Sequence, residues 1–409
     1  MTRWRFSRIT AILVLLSMAG GFGQFGAVSA LGDVATHFGQ HSRAVSLQAV
    51  VGLSGTTIGL GLAILRLASL GSLPLVTFAD RRGRVATLRV SIVTGLVVTA
   101  AAALSPSYWS FVAIFAMARP LLSASNILVQ VVQAEVSSDA TRVSRLAWIA
   151  AGAGGGIGLS AIAHSVLGGP HGFRIQFGLA LLPALGAWWL LRQVREPQST
   201  STAEDMVSRL GRIPSAYRAR LTALCVVAGI VGVITGPANS FAFVYGENVL
   251  HIPAHTVAAV VTASGISGIG GLLLSRRLVR RYGRRITVAS GVTAAAVTSA
   301  LAYSGGQHAF IAGYLIGVGA AGLLAPASSA LIVESFPHAT RATASGWTVV
   351  AGIAGAVLGL VVFGFISDHV VAAHVGQSYR WPALLTFLPL LPALALLRHV
   401  PEPQFERLD

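Results

Sequence analysis

The sequence predicts an all-α integral membrane protein with twelve transmembrane helices in two six-helix pseudo-repeats. Of the 409 residues, 54% are hydrophobic and only 10% are charged. The charges cluster in short segments between apolar runs of roughly 20 residues, the length of a helix that crosses a bilayer. Backbone groups in lipid must be satisfied within their own segment, so each run is predicted to be a helix. Two pairs of similar segments, about 200 residues apart, predict the repeat.

The apolar runs define the elements in chain order. The predicted spans are residues 9–31, 50–78, 85–104, 108–134, 145–167, 173–191, 220–246, 256–275, 286–304, 308–333, 345–368 and 381–398. The first is too long for a signal-peptide core and lacks an A-x-A-like end, so we expect an uncleaved span. In both the second and the eighth run, a Gly-rich part precedes the charged loop motif. The distance between the two is about ten residues longer in the second run, so we predict that the second helix is long, tilted or broken.

The repeat is carried by charged segments at helix ends. Asp80-Arg81-Arg82-Gly83-Arg84 follows the second run, and Arg281-Tyr282-Gly283-Arg284-Arg285 follows the eighth. Glu135, Ala140, Thr141, Arg142 and Trp148 recur 199 residues later as Glu334, Ala339, Thr340, Arg341 and Trp347. The predicted division is an N-terminal bundle of residues 1–191, a cytoplasmic linker of residues 192–219 and a C-terminal bundle of residues 220–409.

The basic residues predict the orientation. The net charge is +16, and all 29 basic residues are arginines. Arg43, Arg174 and Arg380 fall in predicted external loops, Arg66 and Arg119 fall within spans, and the other 24 lie in segments predicted to be cytoplasmic. This distribution follows a membrane topology rather than a nucleic-acid-binding face. We therefore expect both termini to be cytoplasmic, the protein to lie in the cytoplasmic membrane, and no nucleic-acid partner.

Enzymatic and metal chemistry have no support in the sequence. A membrane-embedded enzyme needs clustered carboxylates, histidines or metal ligands within the spans, and no such cluster is seen. Cys225 is the one cysteine, so no disulfide can form within the chain. We expect no catalytic activity, no cofactor and no metal.

Two arginines within spans are the strongest candidate binding residues. An ionisable residue deep in the bilayer is costly and by default functional. At 1.5 Å per residue, Arg66 lies roughly 21 Å from Asp80 and Arg119 roughly 24 Å from Glu135, so both reach the middle layer. No acid lies at that depth and arginine does not deprotonate, so a substrate anion is the predicted partner. The alternative is snorkelling, or capping of backbone carbonyls at a kink beside Pro120.

Further polar residues lie at comparable depths. The predicted substrate-binding set is completed by Gln24, Asn126, Asn239 and Tyr314. A polar residue in a membrane helix forms a hydrogen bond to a neighbouring helix about as often as it binds a ligand. Gly236-Pro237 precedes Asn239 and predicts a break in the seventh helix that exposes backbone groups. Gly152, Gly156, Gly352, Gly355 and Gly359 are predicted to let helices of the two halves approach each other.

Charges at the helix ends predict a gate. Carboxylates can contact helix N-termini, and arginines can pair with carboxylates of neighbouring helix ends. The hypothesis is that these contacts hold the cytoplasmic side closed in the outward-open state; the alternative is that the charges only set the topology. The predicted gating residues are Asp80, Arg81, Gly83, Arg84, Glu135, Arg142, Glu334 and Arg341.

The loop motif resembles that of the major facilitator superfamily over essentially the whole chain. The family pattern G-x-x-x-D-R-x-G-R is matched after the second helix except that Val76 stands at the first glycine, and Arg280 replaces the aspartate in the second copy. The segment from Glu334 to Pro337 is similar to the loop before the eleventh helix in sugar, metabolite and organic-ion branches. The resemblance implies a cavity lined by the first, fourth, seventh and tenth helices. It also implies a rival role for Arg119 in proton coupling.

These observations predict a transporter of a small organic anion, such as a carboxylate metabolite. It would be secondary active or facilitative, would work by alternating access and would act as a monomer. Proton coupling by symport stays open; the candidate carriers are a substrate carboxylate, Asp33 or Glu247. Efflux of drugs by proton antiport is an alternative, although Ile157 follows Gly156 where drug antiporters of the family carry a proline. A non-transporting membrane receptor is the alternative from another class.

Overall fold

The predicted twelve spans are present in the structure. The computed structural model describes residues 8–40, 51–169, 171–194, 196, 213–337, 340–369 and 379–402. Within these ranges, twelve helices are long and apolar enough to cross a membrane. In chain order, α1 to α12 are Arg8–Ser29, Gly55–Arg82, Arg84–Leu104, Tyr108–Glu135, Ser144–Leu167, Gly172–Leu191, Ser215–Ser240, Ala254–Tyr282, Arg284–Ala302, Gln307–Glu334, Thr343–His369 and Arg380–His399. The all-α fold class is confirmed.

The predicted irregularity of the second helix is present. An α-helical segment Gly55–Ala68 is followed by a 3-10 turn Ser69–Gly71 and a second α-helical segment Ser72–Arg82. Pro74 contributes to the irregularity, because it has no N–H to donate to the carbonyl four residues earlier. Arg66 therefore lies shortly before the 3-10 turn rather than in the middle of a straight helix.

The seventh helix breaks later than predicted. The α-helix continues through Pro237 to Ser240, because the N–H of Phe241 donates to the Pro237 carbonyl at 2.9 Å. A π-helical turn follows at Val244–Val249. The Tyr303 hydroxyl donates to the Ala238 carbonyl at 2.9 Å and supplies a partner near the end of the helix. The break predicted at Gly236-Pro237 is therefore wrong in position, since a tertiary hydrogen bond supports the helix there.

The chain forms two compact units. The first contains Met1–Phe38, Ile64–Val207 and Pro253–Thr262, and the second contains Gly39–Ala63, Ser208–Ile252 and Ala263–Asp409. The helices α2 and α8 each contribute residues to both units. Most of the predicted linker 192–219, and Arg43 of a predicted external loop, lie outside the described residues. The predicted division into bundles 1–191 and 220–409 stays a prediction.

Equivalent helix pairs pack together in each unit. In the first unit α1 packs against α5 and α3 against α4; in the second, α7 packs against α11 and α9 against α10. Glycines make the closest contacts. A Cβ at Gly152 would lie 2.7 Å from the Val14 carbonyl of α1, and one at Gly359 would collide with the Val233 carbonyl of α7. These glycines were expected to serve contacts between the halves, and the contacts found for them lie inside each unit.

Candidate functional site

Arg66 of α2 and Arg119 of α4 come together in the first unit. Their guanidinium groups are surrounded by protein and close enough to interact electrostatically. Both side chains nevertheless keep some accessible surface. Among the described residues, no carboxylate forms an ion pair with either group. Two like charges therefore lie near each other without a compensating acid from the described part of the protein.

The backbone of Gly71 and the ring of Pro120 make a close contact between the two helices that carry these arginines. A Cβ placed on Gly71, in the 3-10 turn of α2, would lie 3.0 Å from the Cβ of Pro120 in α4. The hydroxyl of Ser69 donates to the Arg66 carbonyl at 2.5 Å and occupies an acceptor beside the turn. The irregular turn and the proline thus lie next to Arg66 and Arg119 along the chain, and pack directly on each other.

Arg119 is only partly satisfied by the protein. Its Nη1 donates to the backbone carbonyl of Gln24 in α1 at 3.2 Å, so the predicted alternative of carbonyl capping applies to this one nitrogen. Its Nε is buried and has no hydrogen-bond partner among the described residues. Arginine offers five N–H donors in a planar fork that suits a carboxylate. Most of that capacity remains available to a ligand.

The predicted polar residues Gln24 and Asn126 also lie in the first unit. The Nε2 of Gln24 and the Oδ1 of Asn126 are buried without partners in the described part of the chain. Asn126 packs against the first helix, since a Cβ at Gly20 would lie 2.5 Å from its Oδ1. Buried polar groups are normally hydrogen-bonded, so these two unsatisfied atoms, one donor and one acceptor, are available to a polar ligand.

The other two predicted residues line one small pocket of the second unit. A cavity of about 120 Å³ is bounded by α7, α9 and α10, and Asn239 and Tyr314 both line it with Thr235 and Tyr303. The Nδ2 of Asn239 donates to the Thr235 carbonyl at 2.9 Å, which leaves its amide oxygen as an acceptor. Tyr303 was not predicted; only the fold brings the end of α9 beside α7.

A cluster of buried tyrosines adjoins this pocket at Tyr303. The rings of Tyr245, Tyr303 and Tyr379 pack together, with centroids 4.7 Å apart for the first pair and 5.0 Å for Tyr245 and Tyr379. Burial raises the pKa of Tyr245 to about 12, and it raises the pKa values of Tyr303 and Tyr379. These three phenols therefore stay protonated at physiological pH.

The loop motif of the first unit forms a charge network. Arg84 donates to Asp80 through Nε at 3.0 Å and pairs with Glu135 through Nη1. The predicted Arg84–Glu135 pairing is therefore present. Gly83 adopts φ of +102°, a conformation that side chains rarely adopt, and a Cβ there would lie 3.2 Å from the Glu196 carboxylate. The glycine is required both by the turn and by this acid.

The second unit repeats the network. Arg284 pairs with Glu334 at 2.7 Å, as Arg84 pairs with Glu135. Glu402 accepts the backbone N–H groups that begin α9, and Glu196 does the same for α3. Neither glutamate was predicted from the sequence. The signal was a third repeat pair, because Glu-Pro-Gln occurs after α6 at 196–198 and after α12 at 402–404.

The remaining gating residues make local contacts. Arg81 lies in the last turn of α2. Arg142 donates to the Ala134 carbonyl at 3.3 Å, and Arg341 donates to the Phe336 carbonyl at 3.0 Å. These two donors therefore satisfy carbonyls at the end of a preceding helix or loop. A gate that involves Asp80 and the start of α11 stays a prediction.

The candidate coupling acids differ in their surroundings. Asp33 lies in a short helix Leu31–Phe38, where its Oδ2 is 3.4 Å from Nδ1 of the buried His164 and accepts the Gly169 N–H at 3.1 Å. Glu247 lies in the π-helical turn after α7. Asp33 thus has a titratable neighbour, and the role of either acid in coupling stays a prediction.

Among the described residues, twelve apolar helices are long enough to cross a membrane, which indicates a polytopic membrane protein. The sequence profile of the Major Facilitator Superfamily matches residues 10–316 and 240–408, and the chain belongs to this family. It is therefore a multi-pass membrane transporter of small molecules, not an enzyme.

Known proteins resemble the chain in sequence and in fold. A cis,cis-muconate transport protein of Acinetobacter baylyi is 24% identical over 343 residues, which cover 80% of this chain and 81% of that protein. A nucleoside transporter structure superimposes with a TM-score of 0.78 at 14% identity and covers 95% of this chain and 99% of its own. A D-xylose–proton symporter superimposes with a TM-score of 0.72 at 17% identity, covering 97% and 98%. At such identities the two structures show the fold alone.

Proposed function

We propose that this chain transports a small organic anion, such as a carboxylate metabolite, across the cytoplasmic membrane by alternating access. The observation that carries the proposal is the pair Arg66 and Arg119, two neighbouring guanidinium groups without a carboxylate partner among the described residues. A buried uncompensated cation is costly, and two of them are costlier still. A bound anion removes that cost, so the pair favours anionic over neutral or cationic substrates.

A relative supports the substrate class. The Acinetobacter baylyi protein that matches 80% of this chain is named as a transporter of cis,cis-muconate, an organic anion with two carboxylates. Two carboxylates suit two guanidinium groups, each of which can bind one carboxylate through two N–H donors. A dicarboxylate is therefore the first substrate to test, with monocarboxylates of similar size as comparison.

Polar side chains would select among anions. In the first unit, Gln24 and Asn126 have unsatisfied buried atoms. In the second unit, Asn239 and Tyr314 line a pocket of about 120 Å³. We propose that the arginines supply the attraction and that these four groups distinguish substrates by hydrogen bonds. A site that hydrogen-bonds one substrate rejects an analogue without the matching group, because its own polar atoms are then left unpaired.

The test is ligand binding followed by flux. Purified protein is screened by thermal shift against dicarboxylates, sugars and hydrophobic cations, and stabilising compounds are then followed as uptake into proteoliposomes. A ligand present at 100 times its dissociation constant stabilises the folded state by about 2.7 kcal/mol. We expect dicarboxylates to stabilise the protein, and Arg119→Gln and Arg66→Gln to abolish both the stabilisation and the uptake.

Arg277→Gln is the matched control, because it removes one positive charge at an exposed position near the end of α8. It should leave binding and uptake unchanged. Stabilisation by cations or neutral compounds that persists in Arg119→Gln would contradict the anion proposal. Saturable binding of an anion without any flux would favour a receptor.

Orientation, assembly and coupling form the rest of the proposal. The loop-motif end, where α2 ends at Arg82, is taken as cytoplasmic together with both termini, since arginines concentrate there. The protein is taken to act as a monomer, which light scattering in detergent will test.

For coupling we favour Asp33 over Glu247 because of its neighbour His164, 3.4 Å away. Asp33→Asn should then abolish substrate-driven proton movement while substrate binding is kept.

A further inference from the structure

The N-terminus of α2 is held by a carboxylate from α11. Asp368 accepts the backbone N–H of Gly55 at 2.7 Å, the N–H of Thr56 at 2.8 Å and the hydroxyl of Thr56 at 2.6 Å. All three residues belong to the second unit. The first four N–H groups of a helix have no partner within the helix, and the positive end of its dipole favours an anion. Asp368 therefore supplies two missing acceptors and a favourable charge.

The helix itself supplies the next two acceptors. The Ser54 hydroxyl accepts the N–H of Thr57 at 3.1 Å, and the Ser54 carbonyl accepts the N–H of Ile58 at 3.0 Å. Ser54 moves with the helix, so these bonds persist wherever the helix lies. The bonds to Asp368 exist only while the start of α2 lies on α11. The cap thus has one permanent part and one part that depends on tertiary contact.

Close backbone packing accompanies the cap. A Cβ at Gly55 would collide with the Ser367 hydroxyl and lie 2.8 Å from the Gly364 carbonyl of α11. A Cβ at Gly59, one turn further along α2, would collide with the Leu360 carbonyl. Glycines four residues apart allow helix backbones to approach without interdigitating side chains. Such a surface separates without unlocking large side chains, which suits a contact that opens and closes.

The capped segment is continuous with the candidate substrate site. Gly55–Ala68 is one uninterrupted α-helical segment, and it carries Arg66 near its C-terminal end. Its residues 55–63 belong to the second unit, and residues 64–68 belong to the first. The capped N-terminus and Arg66 therefore lie on one continuous helical segment.

We propose that Asp368 is a conformational latch: it holds the N-terminal segment of α2 on α11, and its release frees this segment, with Arg66, to move during transport. The end that carries the latch is external in the proposed orientation. Released N–H groups are hydrated there, so opening exchanges hydrogen bonds for others rather than leaving them unmade. The role in transport rests on the proposed function, whereas the latch does not.

Cysteine accessibility tests the latch. Ser367 is 2% exposed, and its hydroxyl donates to the Gly364 carbonyl of its own helix at 2.7 Å, so Ser367→Cys is a conservative reporter. Cys225→Ala removes the native thiol. The maleimide labelling rate is measured on purified protein in detergent, where it does not depend on orientation or substrate. We expect Asp368→Asn to raise the labelling rate about tenfold. The asparagine amide has no charge, and its NH₂ group replaces one of the two oxygens that accept from Gly55 and Thr56.

Further variants separate a latch from a purely structural cap. Thr56→Val removes one of the three donors and should raise the labelling rate less than Asp368→Asn. Gly59→Ala should raise it through the backbone contact, while Gly270→Ala, at an α8 position with open space around it, should not. A lower melting temperature for Asp368→Asn with unchanged labelling below it would overturn the proposal.

Sealed vesicles then test the side of the membrane. In the Asp368→Asn background, membrane-impermeant maleimide should reach the Ser367→Cys reporter from outside right-side-out vesicles. Faster labelling from the opposite side would leave the latch standing and contradict the proposed orientation.

Discussion

Gly71 of α2 lies directly against Pro120 of α4: a Cβ atom on Gly71 would lie 3.0 Å from the proline Cβ. This contact lies beside both arginines of the candidate site, so it helps to set the distance between their guanidinium groups. Gly71→Val should push the two helices apart and weaken anion affinity by about tenfold, since misplacement of binding groups by about 1 Å has large effects. Isothermal calorimetry with the dicarboxylate that stabilises the protein most measures this affinity. Gly186→Val, in α6 with open space around it, is the control; equal affinities would show that the contact does not position the site.

Asp80→Asn should loosen the charge network at the loop-motif end. Asp80 accepts from Arg84 at 3.0 Å, and Arg84 also pairs with Glu135. Loss of the carboxylate charge weakens the network, and we expect faster labelling, about threefold or more, of Thr235→Cys in a Cys225→Ala background. Thr235 lines the pocket of the second unit. A rate equal to that of the parent and of Arg277→Gln would show that these charges set topology only.

Glu196 and Glu402 should stabilise the fold as helix caps. Each accepts backbone N–H groups at the start of a helix, Glu196 for α3 and Glu402 for α9. Glutamine keeps one acceptor and loses the charge, so each substitution should cost about 1 kcal/mol of unfolding free energy. The effect of Glu402→Gln should be larger, because Glu402 is half-buried and Glu196 is exposed. Denaturant titration in detergent checks the order; the reverse order would contradict the argument from burial.

Alkaline pH should destabilise the protein through its buried tyrosines. Burial raises the pKa of Tyr245 to about 12, while an unfolded tyrosine titrates near 10. Between those values the unfolded chain loses the proton and the folded chain keeps it. The contribution is therefore fully present below pH 10 and falls by up to about 1.4 kcal/mol per pH unit as the pH rises to 12.

Tyr245→Phe should reduce this slope. Denaturant titration at several pH values above 9 measures it. Tyr282→Phe, at an exposed tyrosine in the last turn of α8, is the control and should leave the slope unchanged. A slope that both variants leave unchanged would mean that other groups govern alkaline unfolding.

The helices and part of the charge network could be predicted from local patterns. Apolar run length predicted all twelve spans, because a helix in lipid must be both apolar and long enough to cross. The offset of 199 residues between Glu135 and Glu334 predicted equivalent positions, and each does pair with an arginine that begins the third helix of its repeat. The irregular second helix was predicted from a length mismatch between repeats.

Other features depended on neighbours that are far apart in sequence. Pro237 was expected to break α7, but the helix continues to Ser240. The hydroxyl of Tyr303, which is distant in sequence, donates to the carbonyls of Pro237 and Ala238. Glu196 and Glu402 were overlooked because they follow the last helix of each repeat, away from the apolar runs. More accurate helix propensities would not correct either prediction, because both features depend on contacts between residues that are far apart in the sequence.

Local patterns in the chain are enough to define the membrane fold, the repeat and the two arginines, because bilayer thickness and the cost of buried charge act on each segment separately. Which groups meet depends on tertiary packing. That packing brings the guanidinium groups of Arg66 and Arg119 together, and it places Asp368 on the N-terminus of α2, 312 residues away from Thr56 along the chain. A helix N-terminus attracts any nearby carboxylate, and which carboxylate is near depends on how distant helices pack.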